Sequence, residues 1–155
     1  MKVYKAVAEF LRDQGIRHVF CVSGGASLWL IHGIAETDGI EFVCPQHEQA
    51  AGFAADAYAR LAGLGCAIAT SGPGATNLLT PLAASFYDSI PVLYLTGQVA
   101  TFRMTGDKGV RQIGFQETPV VDMVKLVTKF VAEPLRAEDV IPCLQDAVVI
   151  AKYGR

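Results

Sequence analysis

Three observations predict an α/β fold, an open and mainly parallel sheet with helices on both faces. Short apolar runs of four to seven residues alternate with longer stretches of helical periodicity. The apolar runs have little polar alternation, as expected of strands buried on both sides. Turns bearing glycine or proline follow several of the runs and precede the helices.

From Val3 to Leu11 the apolar residues recur at three and four positions, giving an amphipathic helix that stops at Gly15. Ile16–Val22 is a strand, Ser23, Gly24 and Gly25 turn the chain, and Ala26–Ala35 is a second helix. Gly39 introduces strand Ile40–Val43. Helix Glu48–Leu61, strand Cys66–Thr70, helix Thr76–Ser89 and strand Val92–Thr96 continue the alternation. The stretch Gly97–Thr118 breaks it, and a loop of that length inside a compact domain is usually functional or mobile. Pro119–Leu126 is expected to be a short helix, Val127–Val131 a further strand and Ala137–Lys152 a last helix. The sequence stops at Gly154 and Arg155, where another strand is due, so the sheet is expected to lack its last strand and the chain to be a piece of a longer enzyme.

A chain of 155 residues fits one domain, and 52% hydrophobic against 18% charged residues leaves apolar surface over for a partner. A formal net charge of -2 without a Lys/Arg cluster argues against nucleic acid as that partner. No apolar run approaches the roughly 18 residues of a membrane span. The N-terminus MKVYKAVAEFLRDQG interrupts its apolar residues with charge, which suits a cytoplasmic helix and not a signal peptide. Cys21, Cys44, Cys66 and Cys143 show no metal-ligand spacing and are expected to be buried free thiols.

Ligands of open parallel sheets bind beyond the carboxyl ends of the strands. Four loops meet there: Ser23–Ser27, Cys44–Glu48, Thr70–Asn77 and Thr96–Gln98. Glu48 is the only acidic side chain among them. On position alone it is an ordinary first-turn residue favoured by the helix dipole. The turn Ser71–Gly74 has a backbone that few side chains could follow. It lacks the lysine of a phosphate-binding loop and the spaced glycines of a dinucleotide site, so a flat heterocycle lying over it is at least as plausible as a phosphate. His47 is as compatible with a hydrogen-bonding role as with catalysis.

Taken together, HEQAAGFAADAYAR, TSGPGATN, DSIPVLYLTGQ and GFQE resemble the N-terminal pyrimidine-binding domain of thiamine-diphosphate enzymes of the acetolactate synthase group, over nearly the whole chain. Four motifs in order at matching spacing make the resemblance specific. It implies that residues 1–155 form a thiamine-diphosphate-binding fold. It implies that Glu48 hydrogen-bonds N1' of the aminopyrimidine, favouring the 4'-imino tautomer that generates the C2 ylid attacking a 2-oxo acid. By the same resemblance Pro73, Gly74 and Asn77 line the pyrimidine, Gln98 is a wall of the pocket, and Gly25, Phe115 and Gln116 reach the substrate side of a neighbouring subunit's site.

No stretch matches the GDG...N motif that holds the diphosphate and Mg2+ in the family. The resemblance therefore assigns the magnesium to a separate diphosphate-binding domain from another subunit, in a homodimer or homotetramer, and assigns no metal ligand to this chain. The alanine-bearing helices Glu48–Leu61 and Thr76–Ser89 serve equally well as dimer faces or as ordinary core. FAD dependence, the 2-oxo acid and its acceptor stay open. Val22 and Ser23 stand where acetolactate-type members often carry Tyr-Pro. Two other readings stand beside the enzyme portion: a complete small subunit of a split decarboxylase, and a non-catalytic binding or regulatory module of the same fold.

Overall fold

The computed structural model describes residues 1–154 and has a four-stranded parallel sheet in the order β2-β1-β3-β4. The strands are β1 (His18–Cys21), β2 (Glu41–Val43), β3 (Gly65–Ala69) and β4 (Val92–Thr96). They alternate with α1 (Val3–Asp13), α2 (Leu28–Ala35), α3 (Glu48–Ala62), α4 (Pro73–Asn77) and α5 (Leu79–Asp88), and α6 (Val120–Val124) and α7 (Val140–Lys152) follow β4. The chain steps outward from β1 to β2 and then back across to β3, so the loops after β1 and β3 open on a switch point of the sheet. No helix among the described residues is long and apolar enough to cross a membrane.

Strand periodicity sorts the core into two layers. Val19 and Cys21 of β1, Cys66 and Ile68 of β3 and Leu93 of β4 face α1, α2 and α7, where Val7, Leu11, Ile31, Ile34, Leu144 and Val148 complete the larger cluster. Each such aliphatic side chain stabilises the fold by about 1.5–3 kcal/mol when fully buried. The opposite face is built from small residues, with Ala67 and Ala69 of β3 meeting Ala55 of α3 and Leu78, flanked by Phe20, Val92 and Tyr94. All five residues of β3 are buried, whereas all three of the edge strand β2 are exposed. The expectation of strands covered on both faces therefore holds for β3 and fails at β2, which has a neighbour on one side only.

A Cβ on Gly65 would stand 2.2 Å from the Ala55 carbonyl oxygen, and one on Gly52 would stand 2.4 Å from Cγ of Pro81. These two contacts bring α3 close to the sheet and to α5. A polar network secures the same junction: Asp56 accepts hydrogen bonds from Arg60 Nε and Ser85 Oγ, both at 2.7 Å, and Tyr94 Oη lies 2.8 Å from Ser85 Oγ. The single serine proton goes to Asp56, so Tyr94 donates to Ser85. Burial pushes the Tyr94 phenol up to about 12, with the Asp56 charge adding to it.

Three expectations from sequence are corrected. The helix expected over Thr76–Ser89 is two pieces, α4 and α5, with Leu78 between them. Pro81 has no N–H to give to the Asn77 carbonyl, so an unbroken helix would lose a bond there. Val127–Val131 pairs with no strand: the sheet ends at β4, and a cavity of about 750 Å3 lies between β4 and this segment, lined also by α7. Cys21 and Cys66 are buried thiols, but Cys44 is exposed and Cys143 half-buried. Ala51, Ala55 and Ala59 are buried within the domain, while Ala50 is exposed.

Substituting Gly52→Ala is expected to destabilise the domain by about 1–3 kcal/mol, the usual cost of overpacking, because the new methyl meets the rigid Pro81 ring. Urea unfolding checks this, and an unchanged midpoint would show that α3 and α5 separate freely.

Candidate active site

His47 has extended backbone and caps α3, its Nδ1 accepting from the Gln49 amide at 3.1 Å. Glu48 is thereby the first residue of the helix, where the dipole favours an anion. Across the crevice, Gly72 turns the chain after β3 with φ +59°, a conformation suited to glycine. Pro73 follows at the first position of α4 and Asn77 closes that short helix. Asn77 Nδ2 donates to Glu48 Oε2 at 3.0 Å.

The other oxygen, Oε1, takes no hydrogen bond from the described residues. A Cβ on Gly74 would lie 3.5 Å from it and 2.8 Å from Thr70 Cγ2, so the missing side chain leaves space beside the carboxylate. Glu48 is half-buried and has no ion-pair partner among the described residues. A half-buried acid with one oxygen held and one open, beside a bare glycine turn, can meet a flat ring that presents a nitrogen.

Two further loops pack against the turn after β3. Gly24 approaches Thr70 so closely that a Cβ would stand 2.5 Å from Thr70 Cβ, and Ala26 N donates to Thr70 Oγ1 at 3.3 Å. Gly72 lies against Gln116, where a Cβ would meet Gln116 Cβ at 2.7 Å; Gln116 itself has φ +63°. Glu48, Gly74 and Asn77 therefore converge, and Gln116 packs on the turn at Gly72 that leads to them. Gly25 has open space about it, and Phe115 is 83% exposed, so both face outward. The Gln98 side chain is engaged elsewhere: its Nε2 donates to Thr118 O and Glu133 Oε1, each at 3.1 Å, its Oε1 accepts from Val99 N at 2.9 Å, and it lines the 750 Å3 cavity beside β4, of which Glu48 is no part.

The long loop before Gln116 is built around a residue that sequence reasoning missed. Glu117 accepts from Thr105 N at 2.6 Å, Thr105 Oγ1 at 2.7 Å, Ile113 N at 3.0 Å and Gly114 N at 3.3 Å. The only signal for it was its being the one glutamate of a glycine-bearing loop that also holds Asp107. The Thr105 hydroxyl, then the backbone amides, lower its carboxyl from 4.5 to about 2. No group of three or more His, Cys, Asp or Glu side chains among the described residues is arranged to hold a metal ion.

A sequence model of the thiamine pyrophosphate enzyme N-terminal TPP binding domain matches residues 1–123. The chain belongs to this family. It is 41% identical to acetolactate synthase, chloroplastic, of Arabidopsis thaliana, over 96% of this chain and 22% of that protein. It is 39% identical to the acetolactate synthase large subunit of Haemophilus influenzae, over 96% of this chain and 25% of that protein. The chain thus spans about a quarter of the length of these relatives. The parallel sheet with helices on both faces is the fold that the resemblance implied.

Glu117 binds fewer protons folded than unfolded, so its ordering of the loop is fully present above its unfolded value near 4.5 and is lost as pH falls through about 2. The carboxyl carbon resonance of Glu117, followed by NMR, is expected to titrate with a midpoint near 2. A midpoint near 4.5 would mean that the loop is held by other contacts.

Proposed function

We propose that this domain is the pyrimidine-binding and cofactor-activating part of a thiamine-diphosphate-dependent 2-oxo acid decarboxylase or carboligase resembling acetolactate synthase. The observation that carries this reading is the Glu48 carboxylate, held at Oε2 by Asn77 and open at Oε1 beside Gly74. Thiamine diphosphate, when bound, supplies the carbon acid and the electron sink of the reaction.

The residues of this chain orient and protonate. Glu48 holds a proton at N1' of the aminopyrimidine, and its place at the start of α3 keeps the carboxylate available when that proton moves. Asn77 fixes which oxygen faces the ring. Pro73 and Gly74 form a floor low enough for the ring to lie beside the acid, since a side chain at Gly74 would clash with Thr70. Gln116, packed on Gly72, closes the turn from the far side, while Gly25 and Phe115 present themselves to a neighbouring chain.

The diphosphate and its Mg2+ belong, in this reading, to a second domain carried by another subunit, which makes the assembly a homodimer or a higher even oligomer. The substrate is a 2-oxo acid, and the compartment is cytoplasmic. The exposed apolar side chains Trp29, Phe53, Phe102 and Phe115 supply surface for such a partner.

In the enzyme assembled with its diphosphate-binding domain, Glu48→Gln is expected to lower turnover on the order of 100- to 10,000-fold, the range of general acid–base catalysis, with an unaltered circular dichroism spectrum. Unchanged turnover would remove Glu48 from the mechanism. The 155-residue chain alone is expected to bind thiamine diphosphate weakly; a tight magnesium-dependent isotherm in calorimetry would contradict the division of the site between two domains.

A further inference from the structure

Cys21 closes β1, and the parallel register His18↔Glu41, Val19↔Phe42, Phe20↔Val43 continues to set it beside Cys44, the residue after β2. The two sulfurs lie 3.7 Å apart. Cys21 is fully buried and Cys44 is exposed, so the pair has one thiol in the core and one open to solvent. Cys66, the other buried thiol, has no route to solvent, and no other sulfur is in contact with Cys44 among the described residues.

We propose that Cys21 and Cys44 form an oxidative modification site, closed to a disulfide by hydrogen peroxide. Cys44 attacks the peroxide oxygen, the O–O bond breaks, and Cys44 becomes a sulfenic acid with release of one water. Cys21 then attacks the Cys44 sulfur, the S–O bond breaks, and the Cys21 proton leaves with the hydroxide as a second water. Two thiols are oxidised by two electrons and one peroxide is reduced to two waters. The order follows from exposure: peroxide reaches Cys44 at the surface before it reaches Cys21 in the core.

The sulfurs must close from 3.7 Å to about 2.0 Å, the length of an S–S bond. Cys44 lies beyond the last residue of β2, so its backbone can move without breaking a ladder bond. The crosslink would fasten the root of the loop that carries Glu48 to the root of the loop that carries Gly24 and Gly25. It rests on the thiol geometry alone and stands or falls independently of the function proposed above.

The test treats the full chain with hydrogen peroxide at a slight excess, then counts thiols after unfolding and maps peptides without reductant. Cleavage after glutamate is needed, because Glu36 and Glu41 lie between the two cysteines and no lysine or arginine does. The expected result is a fall from four free thiols to two, a linked Cys21–Cys44 peptide lighter by two hydrogens, and recovery of all thiols with dithiothreitol. Cys143→Ser should leave the crosslink intact. Cys44→Ser, at an exposed position, should leave Cys21 reduced at the same dose. Retention of all four thiols, irreversible oxidation of Cys44 with Cys21 free, or a crosslink to any other cysteine would each overturn the proposal.

Discussion

The packing of α3 on β3 governs the rest of the fold, because neither surface carries a side chain large enough to hold the two apart. Ala67 and Ala69 face Ala55, and Gly65 meets the Ala55 carbonyl directly. With the helix axis set that low, the first residue of α3 comes level with the turn after β3. The 3.0 Å bond between Asn77 and Glu48 follows from it. Larger residues on this face would lift α3 and carry the acid away from its partner, whatever the local sequence around either residue.

The larger aliphatic cluster on the other face does a different task. It supplies most of the apolar burial, through Leu11, Ile16, Ile34 and Ile68 among others, and leaves the small-residue face free to be set by geometry. The polar network of Asp56, Arg60, Ser85 and Tyr94 then fixes the angle between α3 and α5 with bonds that have few alternatives. A carboxylate that is 7% exposed is tolerated there because both of its oxygens are bonded.

Membership of the thiamine-diphosphate family gives the geometry a chemical meaning. The described residues offer an acid, an amide and a glycine floor in one crevice. In the proposed function these parts orient a neutral heterocycle. The relatives are about four times as long as this chain.

The order of helices and strands was legible from the sequence because apolar periodicity is a local property, and the strands β1 to β4 lie within two residues of where it put them. Glu48, Gly74 and Asn77 could be singled out as loop residues at strand ends, and the four motifs named their family. The sequence could not show that Val127–Val131 lies unpaired, since an apolar run carries no information about whether a neighbouring strand is within reach. Nor could it show that Glu117 gathers four donors, or that Cys44 stands outside the core beside Cys21. Each depends on residues distant along the chain or on backbone direction at one turn. Local chemistry was determined by the sequence itself; which of those groups touch was decided only when the sheet brought its strand ends to one edge.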